Sequence, residues 1–355
     1  MDAALYLPIY LLIVTILTIF VCQSYSSSSF MRRRGRSYIV GAILLTLFMT
    51  LYIGMRPFSG HYFVDMTGYA HVYNQHFGER FVFDSSAENI IFDNWYVFMA
   101  AIGFPVEMIF VVLAAIYFVT IFIACQRLFP KDTLLAFLVY LAAFSTYSYC
   151  TNGMKAGMAA STFLVAMAYR DKLWLSVPLA FFTFGQHHAM AMVIAAYVLT
   201  LFVKNSKYYF VGWLLCFMLA AFHITFFQFL FAGFTNEHGA DYLITERNSG
   251  FRIDFILYSA VPIWVGYRMI YKYKIVSKTY SFILNMYLCT NSIWLLCMYS
   301  DFTNRISYLS WFMYPIVLLY PFIKLRWGRS QPRYLRYVVY GHLGFTLFMT
   351  FVYYA

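Results

Sequence analysis

Long apolar runs, separated by short polar segments, repeat along the whole chain of 355 residues. A helix needs about 20 mostly apolar residues to cross the hydrocarbon core of a bilayer. The pattern therefore predicts an all-α polytopic membrane protein, with about twelve transmembrane helices in a single integral membrane domain over residues 1–355. The predicted spans lie at roughly 4–23, 38–55, 106–125, 133–150, 156–169, 173–186, 188–203, 208–230, 254–270, 279–299, 306–323 and 335–354.

The composition agrees with this prediction and excludes a water-soluble globule. Hydrophobic residues make up 63% of the chain and charged residues only 11%, and the mean hydropathy is +0.68. The six cysteines all fall within apolar runs and lack the spacing of metal ligands, so we interpret them as packing residues.

The distribution of lysine and arginine predicts the orientation of the spans. One set of alternate loops holds 19 of the 25 basic residues and only two of the 14 acids, Asp132 and Asp171. The positive-inside rule assigns these loops to the cytoplasm, so both termini and a long loop after the second span, at about 56–105, should face outward. The net charge of +11 then follows from topology, and no nucleic-acid partner is needed to explain it.

Six basic residues remain on the predicted outer side, and four of them lie within a residue or two of the end of an apolar run: Arg56, Lys155, Arg252 and Arg305. A cation fixed near the membrane at a helix end costs free energy unless an anion meets it. A single such residue could equally snorkel to lipid headgroups or pair with a nearby acid such as Asp254 or Asp301. Four of them at one depth favour a shared anionic ligand.

A lipid-linked diphosphate carries its negative charge at this depth, and arginine donates paired hydrogen bonds to phosphate oxygens. Enzymes that transfer a sugar from a diphosphate stabilise this leaving group with a divalent metal or with fixed cations. Because the chain has no D-x-D, E-x-D or H-E-x-x-H motif, fixed cations are the simpler prediction, with no metal and no other cofactor.

Two adjacent histidines add candidate chemistry at the same depth. The stretch FFTFGQHHAMAM places His187 and His188 at the predicted outer turn between two apolar runs. A histidine there can accept a proton or donate a hydrogen bond to a sugar or phosphate, although a lone interfacial histidine more often only satisfies backbone groups. Tyr69 and Tyr73 are candidates for stacking on sugars, while most aromatic side chains are expected at the lipid-facing surface or the interface.

Five blocks follow one another in the chain: MRPFSGHYFVDMTGY, TNGMKAGMAAS, the histidine-bearing turn, SGFRIDFILYSAVP and SDFTNRISYL. Their order and spacing, over nearly the whole chain, resemble the Wzy/EpsG family of polysaccharide polymerases. Two departures stand out. Lys155 and Ala156 occur where the family often has Arg-Gln, and Gln186 precedes His187 where Phe is common. Lysine keeps the charge but lacks the planar fork, which puts a bidentate phosphate contact at this position in doubt.

The resemblance implies a metal-independent, membrane-embedded glycosyltransferase of the GT-C kind. It would lie in the bacterial inner membrane, with its active site facing the periplasm. Its substrates would be oligosaccharide repeat units on undecaprenyl diphosphate, joined into O-antigen, lipopolysaccharide or capsule-type polysaccharide with undecaprenyl diphosphate as the leaving group. Membrane lipids, a flippase and a chain-length regulator are the implied partners.

Carried onto this sequence, the resemblance implies that Arg252 and Arg305 hold the diphosphate, with Arg56 and Lys155 as helpers. The base that deprotonates the acceptor hydroxyl would be Asp65 first, and His187 or His188 second. Periplasmic loops at about 56–105 and 231–253 would form the site.

Two other classes of protein remain open. A flippase for lipid-linked oligosaccharides suits many spans equally well, although its binding charges would be expected near the bilayer midplane within an internal repeat. A ligase at the outer face would share the four cations and differ in its acceptor. An acyltransferase would need a catalytic histidine within the membrane, for which His223 is the candidate.

Overall fold

The computed structural model describes residues 1–25, 36–232, 241 and 250–354, and it organises them as helices joined by short turns. The α-helices are α1 (Tyr6–Gln23), α2 (Arg36–Gly54), α3 (Val64–Gln75), α4 (Ile90–Ala101), α5 (Val106–Leu128), α6 (Thr133–Leu141), α7 (Thr146–Thr151), α8 (Met154–Ala168), α9 (Leu173–Gln186), α10 (Met190–Phe202), α11 (Ser206–Ala221), α12 (Phe226–Ala232), α13 (Ile253–Tyr267), α14 (Lys278–Leu296), α15 (Thr303–Trp311), α16 (Tyr314–Lys324) and α17 (Gln331–Phe348). The described residues include no β-strand, which confirms the predicted all-α class.

Several of these helices suit a membrane. Within the described ranges, five helical segments are long and apolar enough to cross one: Ala3–Gln23, Val106–Leu128, Ile253–Lys272, Thr303–Lys324, which comprises α15 and α16, and Gln331–Tyr353. Others are apolar but shorter, among them Tyr38–Gly54, Met154–Ala168 and Leu173–Gln186. The protein is therefore a multi-pass membrane protein, while the count of twelve spans, the GT-C-like arrangement and the periplasmic position of the long loop stay predictions.

Three predicted spans are interrupted. The span predicted at 306–323 is divided into α15 and α16. The span predicted at 133–150 is divided into α6 and α7, and the one at 208–230 into α11 and α12, with His223 in the left-handed region at φ 56° between the latter two. Hydropathy does not detect these breaks, because the residues in the turns are nearly as apolar as those in the helices.

The chain divides into two compact units. The first comprises Met1–Met190 with Phe322–Ala355, and the second comprises Ala191–Pro321. The single membrane domain expected from sequence stays a prediction.

In the first unit, the break between α6 and α7 exposes backbone carbonyls that side chains of other helices satisfy. The hydroxyl of Tyr10 in α1 donates to Leu141 O at 2.7 Å, and the hydroxyl of Thr346 in α17 donates to Ala142 O at 2.8 Å. Non-helical backbone at membrane depth is tolerated only where protein or a wet cavity supplies its hydrogen bonds. The donors from α1 and α17 therefore make the break compatible with a membrane setting.

Residues 56–105, predicted from sequence as a loop, contain the helices α3 and α4. Both pack on the start of α5 through one cluster of buried side chains, whose members include Met66, Ala70, Tyr73, Phe92, Tyr96, Ala100, Ile109 and Phe110. The apolar run that forms α4 is only 12 residues long and carries Asp93 and Asn94, so it does not satisfy the length criterion for a span. The folded segment places polar residues of α4 beside the first residues of α8.

The second unit is organised around a buried polar centre at Ser259 of α13. Its hydroxyl accepts hydrogen bonds from the indole of Trp311 at 2.8 Å and from the amide of Asn291 at 3.1 Å. Asn291 also accepts from the indole of Trp213 at 2.7 Å and donates to Ser310 at 3.0 Å. Because these groups satisfy one another, α11, α13, α14 and α15 are joined through hydrogen bonds that apolar packing alone would not supply.

The approach of α2 to α5 yields a test of the packing. A Cβ added at Gly54 would lie 2.6 Å from the Cα of Val111, whereas one added at Gly41, on the same helix, would meet only the Leu134 side chain at 3.4 Å. We expect Gly54→Ala to lower the free energy of unfolding by about 1–3 kcal/mol through overpacking. Gly41→Ala should be neutral or stabilising because alanine favours helix. Thermal unfolding of the purified variants in detergent measures both, and equal melting temperatures would contradict the close approach.

Candidate functional site

Arg56 lies just after α2 and is only 3% exposed. Its guanidinium donates to Ile53 O at 2.8 Å and to Thr151 O at 2.7 Å, and it contacts the sulfur of Met154 at 2.9 Å. The rings of Phe63 and Phe110 lie 5.3 and 5.6 Å from its Cζ. A single side chain thus joins the end of α2, the end of α7 and the start of α8.

The charge of Arg56 has no carboxylate partner among the described residues, and in the same ranges its Nε has no hydrogen-bond acceptor. Burial lowers the pKa of Arg56 to about 10, so the guanidinium stays protonated at neutral pH. Backbone carbonyls and aromatic faces compensate part of the lost hydration. Arg56 is therefore a buried cation whose Nε has no acceptor among the described residues, and its proposed contact with a diphosphate stays a prediction.

Lys155, one residue into α8, belongs to a network that sequence reasoning did not anticipate. Its Nζ lies 3.5 Å from Oδ1 of Asp93 and 5.4 Å from the centroid of the Phe92 ring. The Lys155 and Asp93 side chains keep 22% and 34% of their exposure. This is a long, partly hydrated ion pair of the kind that contributes little to stability. A stronger anion could therefore replace Asp93 at low cost.

Asp93 has its shorter contacts elsewhere. Its Oδ2 accepts from the backbone N–H of Asn89 at 3.0 Å and lies 3.3 Å from the side-chain nitrogen of Asn89. Asn89 in turn uses its Oδ1 to accept the backbone N–H of His188 at 2.9 Å. Two of the predicted site residues, Lys155 and His188, are thus connected through Asp93 and Asn89.

The histidine pair occupies the turn between α9 and α10, as the sequence predicted. The backbone N–H of His187 closes α9 by donating to Thr183 O, and its Nδ1 accepts the N–H of Ala189 at 3.1 Å. His188 is half-buried, with its ring 5.1 Å from that of Phe184. Helix α9 packs closely on α4, because a Cβ added at Gly185 would lie 2.5 Å from the Ile91 side chain. This close packing keeps the histidine turn beside Asn89.

The remaining candidates of the first unit lie on α3. Asp65 is half-buried in the first turn of that helix, and its role as a base stays a prediction. Tyr69 is half-buried, with its ring 6.0 Å from that of Tyr96. Tyr73 is fully buried and donates its hydroxyl to Phe104 O at 2.7 Å. A sugar could therefore contact Tyr69 more directly than Tyr73, whose ring has no exposed face.

In the second unit, Arg252 precedes α13 and forms a bidentate pair with Asp254. Its Nε and Nη2 lie 3.0 and 2.7 Å from the two carboxylate oxygens, and its Cζ lies 3.6 Å from the centroid of the Phe255 ring. Pairing with Asp254, considered from sequence as the alternative to a functional role, is therefore observed. The Arg252 side chain stays 27% exposed in this pair, and paired fork geometry is also what phosphate requires.

Arg305 is exposed on the first turn of α15, with its Cζ 4.9 Å from the ring centroid of Phe302. Phe302 has φ 52°, a left-handed conformation that is unusual for a bulky residue. The indole of Trp294, near the end of α14, donates to Thr303 at 3.0 Å, and its ring lies 6.2 Å from that of Phe255. The starts of α13 and α15, and with them Arg252 and Arg305, therefore lie at the same end of the second unit.

Other predicted features fall partly outside the described residues. Of the loop predicted at 231–253, residues 233–240 and 242–249 lie outside them. Within the described ranges, no group of three or more His, Cys, Asp or Glu residues is arranged to hold a metal ion. The expectation of metal-independent chemistry stays a prediction.

A sequence model of the EpsG family matches residues 39–355. The chain belongs to the EpsG family. No curated protein and no solved structure matches the chain. Membership of the EpsG family indicates a membrane protein of the polysaccharide-polymerase type, which acts on a lipid-linked polysaccharide substrate.

The EpsG match also covers residues that sequence reasoning missed. Asn89 and Asp93 lie in the segment that the sequence predicts as a loop. Two features of the sequence indicate a helix there: the short apolar run IIF that follows Asn89, and the four-residue spacing between the two polar side chains. On a helix, that spacing places residues on one face.

Two substitutions in this EpsG-family protein test whether Arg56 stabilises the fold while Lys155 does not. Arg56→Lys should lower the free energy of unfolding by about 1–3 kcal/mol, because one ammonium cannot replace the fork that bridges two buried carbonyls. Lys155→Arg, at the same end of α8, keeps its charge beside Asp93 and should unfold at the wild-type temperature. Thermal unfolding in detergent measures both. Wild-type stability of Arg56→Lys would show that the carbonyl contacts do not hold the helices together.

Proposed function

We propose that this protein is a polysaccharide polymerase that joins undecaprenyl diphosphate-linked oligosaccharide repeat units at the periplasmic face of the bacterial inner membrane. The observation that carries the proposal is the match of the EpsG family over residues 39–355. It is supported by the position of two candidate cations at one end of each unit: Arg56 with Lys155, and Arg252 with Arg305.

In the proposed reaction, a hydroxyl of one lipid-linked repeat unit attacks the anomeric carbon of the growing chain. A new glycosidic C–O bond forms, the C–O bond to the diphosphate breaks, and undecaprenyl diphosphate leaves with its electron pair. The proton of the hydroxyl passes to a base, for which Asp65, His187 and His188 are the candidates. Fixed cations stabilise the negative charge that develops on the leaving group, as metal-independent, GT-C-like transfer requires.

The four cations are proposed for different contributions. Arg305 is exposed, and Arg252 already presents its fork to a carboxylate, so both suit phosphate oxygens. Lys155 supplies a point charge that can exchange its distant acid for a phosphate. Arg56 contacts Met154, the residue before Lys155, and is buried with its Nη1 and Nη2 already bonded, so it contributes its field more than its hydrogen bonds.

The proposal predicts polymerisation by the purified protein alone. Incubation with a synthetic undecaprenyl diphosphate-linked repeat unit, with chelator and without a second acceptor, should give a ladder of products. Intact substrate with folded protein would contradict the proposal. A flippase would leave the substrate unreacted and translocate it in proteoliposomes. A ligase would react only after a lipid acceptor is supplied, and an acyltransferase only with an acyl donor.

Substitution of the exposed arginine is the sharper test of the site. Arg305→Ala should reduce polymerisation by about two or more orders of magnitude, because a lost charge-assisted contact to a leaving group acts in the transition state. Arg305→Lys should recover part of the rate. Arg252→Ala should behave like Arg305→Ala, with folding checked because it leaves Asp254 unpaired. The control, Arg32→Ala, lies outside the described residues in a predicted cytoplasmic loop, and equal loss in it would overturn the assignment.

A further inference from the structure

Asn89 stands at the beginning of α4, where an asparagine normally accepts a hydrogen bond from the first turn of its own helix. Here the side chain of Asn89 makes no such cap. It is 3% exposed, and its Oδ1 reaches instead to the N–H of His188, 99 positions along the chain. The strongest N-cap residue type at a helix start is thus used for a contact with another segment.

Asp93 contacts Asn89 at the start of α4. Its Oδ2 accepts the N–H of Asn89 at 3.0 Å and lies 3.3 Å from Nδ2 of the same residue. The first contact satisfies the backbone N–H of Asn89, and the second holds the amide nitrogen on Asp93 while the amide oxygen accepts from His188. The orientation of Asn89 toward His188 therefore depends on Asp93.

The second oxygen of Asp93 is directed to a different group. Oδ1 lies 3.5 Å from Nζ of Lys155 at the start of α8. One carboxylate therefore contacts both the cation and the amide that holds the histidine turn. The order of contacts is Lys155, Asp93, Asn89 and the backbone of His188.

We propose that Asn89 and Asp93 are positioning residues that fix the His187–His188 turn relative to Lys155. The inference rests on the proposed function for its catalytic meaning, since Lys155 is there a cation for the leaving group and a histidine is a candidate base. The physical link itself can be measured without any reaction. A base and a leaving-group cation must be held at a set separation for glycosyl transfer, and the buried amide of Asn89, hydrogen-bonded to the half-buried carboxylate of Asp93, helps to hold it.

Amide hydrogen exchange of the full-length protein in detergent tests the link. Asn89→Ala removes the acceptor of the His188 N–H, so that amide should exchange about fivefold faster, as expected for the loss of one hydrogen bond. Asp93→Ala should also accelerate exchange at His188, although Asp93 does not touch it. If Asp93→Ala leaves the His188 amide at the wild-type rate, Asp93 does not act through Asn89 and the proposal is overturned.

The reciprocal exchange Asn89→Asp/Asp93→Asn provides the rescue. It preserves an acceptor for the His188 N–H and one donor–acceptor contact between the two side chains, with the donor and acceptor exchanged. Protection of the His188 amide should return to within about twofold of wild type, against the roughly fivefold loss in Asn89→Ala. Failure of the rescue, with wild-type thermal stability, would also count against the proposal.

Asn94→Ala is the matched control. Asn94 is a buried asparagine of the same helix, but it bonds to the backbone of Asp84 and to Ile90 O. Its loss should loosen the segment around Asp84 and leave exchange at His188 unchanged. Equal acceleration at His188 in Asn94→Ala would mean that any loosening of α4 has the same effect, and the specific role would be rejected.

Kinetics then separate positioning from binding. Asn89→Ala should lower kcat by tenfold or more and change KM for the lipid-linked repeat unit by less than about twofold, because it moves the histidine turn and leaves the cations in place. A parallel fall in the amount of folded protein would indicate a purely structural role. If wild-type protein forms no polymer, the proposed function fails, while the exchange measurements still decide whether Asn89 and Asp93 position the turn.

Discussion

Hydrocarbon offers no water to a carbonyl or a cation, so a polar group buried in a membrane protein is stabilised mainly by partners within the chain. The interruption of α6 and α7 is possible because side chains of α1 and α17 donate to its carbonyls. Arg56 is a buried donor and also needs partners within the chain. Carbonyls at two helix ends accept hydrogen bonds from its guanidinium. Irregular backbone and buried charge thus occur together where protein surrounds both.

This constraint makes the four candidate cations unequal. Arg56 is held by backbone, Lys155 by a distant acid, Arg252 by a bidentate carboxylate, and Arg305 is exposed beside an aromatic ring. In sequence they form one class, because each lies within a residue or two of the end of an apolar run. Their surroundings determine what each can give to an anionic ligand. A partly hydrated pair is readily exchanged, whereas a buried fork that bridges helices cannot move without cost.

The segment 56–105 illustrates where reading the sequence falls short. Neither α3 nor α4 is long enough to cross a membrane, and both carry polar residues, so hydropathy treats them as a loop. Their burial becomes visible only when α5 supplies the partner surface. The residues that link Lys155 to the histidine turn lie in this segment, and they were missed for that reason.

The sequence by itself determined the helical membrane class, the family and the positions of the exceptional cations. The length of an apolar run, the distribution of lysine and arginine between loops, and the order of motifs are all properties of the linear sequence. They can therefore be recognised without knowledge of the tertiary structure. Tertiary structure decided which acid meets which cation and which amide holds which turn. The contacts of Asp93 with Lys155 and of Asn89 with His188 join residues 62 and 99 positions apart, and nothing local in the chain specifies them. They follow from the packing of α4 beside α8 and α9, because polar groups must be satisfied wherever helices meet.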